Sequence, residues 1–123
     1  MSAHNFENLD LWKRGCRLAV QICVQSEESK DFALRDQIRR SAISIPSNIA
    51  EGSERTTDKD FSKFLDYSKG SCGELRTQLL IHKAVCKELK KPPYEHIDEM
   101  IEETRELSSM LGGLIKRLKK PAS

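Results

Sequence analysis

At 123 residues the chain is long enough for one hydrophobic core and too short for a core plus a second unit, so a single domain over residues 1–123 has to account for everything. Charged residues make up 33% and aromatics 6%, a balance rich in Leu, Ile, Ala, Glu, Lys and Arg that favours helices over sheets. A net charge of +2 is too small to demand a polyanionic partner by itself, and no apolar run approaches the roughly 20 residues that a membrane-spanning helix needs.

The first element carries Leu9, Trp12, Cys16, Ala19 and Cys23 on one stripe. That spacing predicts a helix capped by Asn8 or Asn5 and ended near Ser26 to Ser29 by the polar run QSEESKD. The second has Leu34, Ile38, Ala42, Ile45 and Ile49 and stops near Gly52 to Thr56. In the third, Phe61, Leu65, Ser68, Cys72, Leu75, Leu79, His82, Cys86 and Leu89 alternate spacings of four and three, a heptad seam. Thr57 with Asp60 reads as its cap and KKPP at 90–93 as its stop, giving a helix from about 57 to 89. The fourth starts after Pro93, carries Ile97, Met100, Thr104, Leu107, Leu111, Leu114 and Leu118, and runs to about Lys119. All the links are short, so neighbours pack antiparallel, and the expected fold is all-α: an up-and-down antiparallel four-helix bundle with crossings near 20°.

One stretch of the second helix, SAISIPSNIAEG at 41–52, does not fit a simple core stripe. Ala42, Ile43, Ile45, Pro46, Ile49 and Ala50 spread over about 160° of helix surface, wider than a bundle helix needs for its own core. Ser44, Ser47, Asn48 and Glu51 take the opposite face. Ile43, Pro46 and Ala50 are expected to point away from the bundle centre, as a contact with another chain. Pro46 also removes a helical hydrogen bond at roughly 3 kcal/mol. Either a plain kink around the core, with Ser or Asn side chains serving the freed carbonyl, or a kink that shapes a subunit interface would offset it. Gly70 and Gly73, inside the third helix, each cost about 1 kcal/mol relative to Ala, so close approach of another backbone is expected there.

The stretch QIRRSAISIPSNIAEG at 37–52, followed by FLDYSKGSCGELRTQL at 64–79, resembles the four-helix bundle proteins encoded in 23S rRNA intervening sequences. The likeness runs from FENLDLWKRG to the fourth helix. That family is in turn similar to the accessory protein of diversity-generating retroelements. The resemblance implies that Ser44, Ile45, Pro46, Asn48, Ile49, Ala50, Glu51 and Gly52 belong to the family signature and that Gly70, Ser71, Glu74 and Leu75 match its second block. It also implies a homopentamer and, by way of the retroelement relatives, RNA or DNA and a reverse-transcriptase-like protein as partners. The chain departs from the family after the third helix, where AVCKELKKPPYEHI replaces a GYI-like turn.

Six cations are candidates for contact with nucleic acid: Lys13, Arg14 and Arg17 on the first helix, and Arg35, Arg39 and Arg40 on the second. Guanidinium forks suit phosphate oxygens, and copies around an axis would make a weak patch multivalent. The same residues could instead be solvated or form intersubunit salt bridges. No aromatics interleave with them, so base stacking is not indicated. The fourth helix starts acidic and ends basic with Lys116, Arg117, Lys119 and Lys120, the order its dipole favours.

The four cysteines form no CxxC pair and no secretory apolar segment precedes them, so a reducing, cytoplasmic setting is expected, with thiols buried on the seams. His82 and Cys86 share a face, but no third or fourth ligand has a recognisable spacing, so no metal or cofactor is expected. There is no GxSxG, P-loop, GxGxxG or HExxH motif, and the carboxylates are spread over solvent faces, so the chain reads as non-enzymatic. Two functions remain: a nucleic-acid-associated homo-oligomeric adaptor, or an oligomeric protein scaffold without nucleic-acid affinity.

Overall fold

Thr57 begins the longest helix, its hydroxyl accepting the Asp60 amide at 3.1 Å, as an N-cap should. The far end closes on Lys90, which takes a left-handed φ of 56° while the Lys91 amide bonds back to the Cys86 carbonyl at 3.0 Å, a Schellman-type stop. Between them lies α3 (Asp58–Glu88). The computed structural model describes residues 5–119. Around α3 stand α1 (Asp10–Gln25), α2 (Phe32–Ser53) and α4 (Ile97–Lys119), with a 3₁₀ turn over Phe6–Asn8 ahead of α1.

Cross-links between neighbours fix their directions. Gly15 faces Ile45 and Pro46 while the Arg39 side chain reaches Cys23 and Ser26, so α1 and α2 run antiparallel. Ser44 bonds Ser71 and Gly52 abuts Phe61, which makes α2 and α3 antiparallel in turn. On the next seam Arg76 bonds Thr104 and Lys83 bonds Asp98, and on the last Arg14 bonds Glu103 while Gln25 accepts the Glu95 amide. The result is the expected up-and-down bundle. Its centre is filled by Ile22, Ile38, Ile45, Ile49, Phe61, Leu65, Leu75, Leu79, Leu107 and Leu111, all essentially buried. Each such side chain contributes on the order of 1.5–3 kcal/mol of transfer free energy.

Several boundaries and side chains fall elsewhere than the spacing predicts. Leu9, not Asn8 or Asn5, precedes α1, and no side chain caps it. The 3₁₀ turn takes up those asparagines, and its Phe6 ring meets Trp12 edge-on at 5.2 Å. Helix α4 starts after Pro93 as expected, at Ile97, once Tyr94 has folded inward and His96 has turned the chain with a φ of 61°. Cys72 and Cys86 are buried as expected, whereas Cys16 and Cys23 are only half-buried. Burial pushes the Cys72 thiol up to about 11, far from a reactive thiolate.

Candidate nucleic-acid interface

The SIPSNIAEG block is where α2 is gripped from both sides. Helix α2 runs unbroken through Pro46, and three nearby carbonyls receive side-chain donors: Ser44 Oγ donates to Ser41 O at 2.8 Å, Asn48 Nδ2 to Ser44 O at 2.9 Å and Ser68 Oγ, from α3, to Ile45 O at 2.8 Å. Pro46 itself does not point away from the bundle. It is buried against α1, where the missing side chain of Gly15 leaves room: a Cβ there would lie 3.5 Å from Pro46 Cδ. Of the expected outward flank, Ile43 is exposed and Ala50 half-buried.

Signature residues on the other side of α2 face α3. Ser44 and Ser71 join hydroxyl to hydroxyl at 2.6 Å. Gly52 is the tightest point of the fold: a Cβ would sit 2.8 Å from Phe64 Cβ, 2.9 Å from Phe61 Cδ1 and 3.2 Å from the Phe61 carbonyl oxygen. Ile45, Ile49 and Leu75 are core residues, while Glu51 and Glu74 are exposed. Gly70 and Gly73 meet no other backbone within this chain, since nothing lies within 4 Å of a Cβ built on either.

The six cations named from sequence do not form one patch. Arg14 turns toward α4 and binds Glu103 through two nitrogens, Nε to Oε2 at 2.8 Å, with Glu106 at 3.2 Å, and these hydrogen bonds hold its guanidinium charged more firmly still. Arg39 turns toward α1 and binds Ser26 Oγ at 2.7 Å, the Cys23 carbonyl at 3.0 Å and Glu27 at 3.2 Å. Arg35 lies over the Phe32 ring at 4.7 Å and beside Asp36. Arg14 and Arg39 serve the bundle's own seams, and Arg35 stays on the surface of its own helix. Lys13, Arg17 and Arg40 are exposed and make no ion pair among the described residues.

Another set of cations lies on the outer seam between α3 and α4. Lys59, Lys63 and Lys119 line one groove with Asp60, Ser62, Asp66 and Ile115, a space of about 390 Å³. Lys69 and Lys116 line a neighbouring depression with Ser108, Ser109, Gly112 and Gly113. None of these five exposed lysines makes an ion pair among the described residues. Sequence spacing alone hides this set, because it mixes α3 residues at the edge of the heptad seam with the basic end of α4, which only the antiparallel register brings alongside.

At the opposite end of the bundle, His82 Nε2 accepts the Tyr94 amide at 3.1 Å and its ring stacks on Tyr94 at 3.7 Å. Cys86 Sγ touches the ring nitrogens at 3.7 and 3.9 Å. His82 is therefore committed to closing the α3–α4 turn. Among the described residues no group of three His, Cys, Asp or Glu side chains converges as metal ligands would, and no helix is long and apolar enough to cross a membrane.

Fold and seams together define an all-α antiparallel bundle whose second helix is locked by a proline, a glycine and a ring of hydroxyls. The profile of one family matches residues 7–113, and the chain belongs to that family, the 23S rRNA-intervening sequence proteins. A solved structure, the crystal structure at 1.70 Å of a protein of unknown function from the S23 ribosomal protein family of Bacteroides thetaiotaomicron VPI-5482, superposes with a TM-score of 0.76. It shares 23% identity, over 86% of this chain and 98% of the other, a likeness of fold. No curated protein matches the chain.

Proposed function

We propose that the protein is a non-enzymatic, homo-oligomeric helical bundle that associates with RNA or DNA as an adaptor in the cytoplasm. The observation that carries this reading is the division of its cations. Arg14, Arg35 and Arg39 are paired with acids of the chain itself, whereas Lys13, Arg17 and Arg40 and the lysines of the α3–α4 seam stand on the surface without acid partners among the described residues. Unmatched surface cations are the groups that phosphates recruit. The family's name, which refers to 23S rRNA, makes RNA the first polymer to test. Assembly is supported by apolar side chains left on the outside, Val20, Val24 and Ile43 among them, since exposed apolar surface is commonly covered by another chain.

Those same residues favour a second reading, an oligomeric scaffold that binds protein alone. Absolute mass by light scattering, alone and with a mixed-sequence RNA at low and high salt, separates the two. The adaptor reading expects a mass that is a multiple of the chain's and RNA bound at low salt and released at high salt. Indifference to RNA leaves the scaffold, and a monomer removes the assembly. Ile43→Glu tests the apolar surface: it is expected to give folded protein of lower mass, and an unchanged oligomer takes that face out of the interface.

A further inference from the structure

We infer that the outer α3–α4 seam is the surface that holds the phosphate backbone of the bound nucleic acid, an inference that rests on the nucleic-acid reading above. Lys59, Lys63 and Lys69 fall on α3 over about 15 Å of helix axis, and Lys116 and Lys119 of α4 line the same two depressions. A strand with one phosphate per 3.4 Å would place roughly four charges along that length.

Two further features fit an anion. Ser62 is 6% exposed, its Oγ has no hydrogen-bond partner, and it lines the groove between the lysines. A buried hydroxyl without a partner is costly, and a phosphate oxygen arriving between Lys59 and Lys63 would accept a hydrogen bond from it. Gly112 supplies the second feature. The Lys69 stem passes 3.5 Å from where a Cβ would be, so α4 lets this lysine lie across it and brings its ammonium to the side of Lys116. Apart from Ile115 the lining is polar or glycine, and no aromatic takes part, so the seam offers charge and a hydroxyl but no stacking platform. Such a surface grips backbone without reading bases. Asp60 and Asp66 line the same groove and oppose the anion, leaving three net positive charges from five lysines and two aspartates.

The test is binding of a fluorescent mixed-sequence RNA to the full chain, across a salt series, for wild type, Lys63→Glu/Lys116→Glu, Lys13→Ala/Arg17→Ala and Asp66→Asn. The seam variant is expected to weaken binding on the order of tenfold or more and to reduce the slope of log affinity against log salt by about 1.4, two single-strand phosphate contacts. The α1 variant is expected to lose less affinity than the seam variant, and Asp66→Asn to bind more tightly. Equal binding by wild type and the seam variant overturns the seam while leaving the nucleic-acid reading standing. A wild type that binds no RNA at low salt overturns both. If the double charge reversal does not fold, Asp66→Asn decides: tighter binding supports the seam and unchanged binding overturns it. Duplex DNA of equal length, run as a second probe, is expected to bind through the same lysines, and a seam variant that loses RNA but keeps DNA overturns a contact made to phosphate alone.

Discussion

Along its contact with α2, α3 is met by a glycine and by hydroxyls; along its contact with α4, it is met by long side chains that reach across the surface. The first seam closes at Gly52 on Phe61 and Phe64 and is stitched by Ser44, Ser68 and Ser71. The second is bridged by Arg76 to Thr104 and Lys83 to Asp98, with lysines left over. Small residues let backbones approach and tolerate little change, because interiors are packed without spare volume. Long polar side chains tolerate change and leave charge available to a ligand. Half of the twelve residues that carry the family resemblance lie on the first seam or in the core, and Pro46 packs on α1, so that set chiefly serves the bundle.

The sharpest way to break that contrast is Gly52→Ala. Its Cβ would lie inside contact distance of two aromatic side chains and a carbonyl oxygen, an overpacking cost of about 1–3 kcal/mol that outweighs the gain of roughly 1 kcal/mol from replacing a helical glycine. A net loss of up to about 2 kcal/mol in urea unfolding is expected. Unchanged stability would mean that the α2–α3 seam is no tighter than the α3–α4 seam.

Next in size is Thr104→Val on the second seam. The Thr104 hydroxyl donates to the Ile101 carbonyl at 2.6 Å and accepts from Arg76 Nε at 2.9 Å. Its loss leaves a half-buried guanidinium that keeps a longer bond to the Thr104 carbonyl. About 1 kcal/mol is expected, with no change in helix content by circular dichroism. A loss larger than that at Gly52 would make the polar seam the more demanding of the two.

Gly73→Ala acts with the opposite sign. A Cβ there meets nothing, so the substitution is expected to stabilise the isolated chain by roughly 0.5–1 kcal/mol. Mass measured alongside stability separates two situations: a gain at constant mass leaves Gly73 on open surface, whereas a fall in mass places a second copy against it.

How far these seams are legible in the sequence differs between them. Four helices, their order and most of their core follow from the spacings of Leu, Ile and Phe, because burial imposes a period that survives without coordinates. The direction of Pro46 does not follow, since it depends on the absence of a side chain at Gly15, thirty-one positions earlier and on another helix. Arg14 and Arg39 read as free cations for the same reason: their partners, Glu103 and Ser26 with Glu27, lie on other elements. The lysines of the α3–α4 seam are scattered over residues 59–119 and acquire meaning only when α4 runs antiparallel beside α3. Periodicity reports which face is buried, and pairing across seams is a tertiary fact that it does not carry.

The smallest expected effect is a pH dependence at the closed end of the α3–α4 seam. His82 accepts the Tyr94 amide through Nε2, which requires that nitrogen to be unprotonated. Burial, first, and then Lys91 push the imidazole below its ordinary 6.5, with Asp31 acting weakly the other way. The native state therefore resists a proton that the unfolded chain takes up below pH 6.5. Stability from this group is fully present above that pH and is lost as the pH falls from 6.5 through the lower native value. Protonation would also remove the hydrogen bond from the Tyr94 N–H that holds Tyr94 under the bundle. In His82→Gln the amide oxygen can accept the same hydrogen bond without titrating, so the acid-side fall in urea midpoint between pH 7 and pH 5 is expected to be shallower than in wild type. Parallel curves would show that this end of the seam is held by the Tyr94 ring and not by the proton state of His82, and the α3–α4 contact would then be polar only along its outer face.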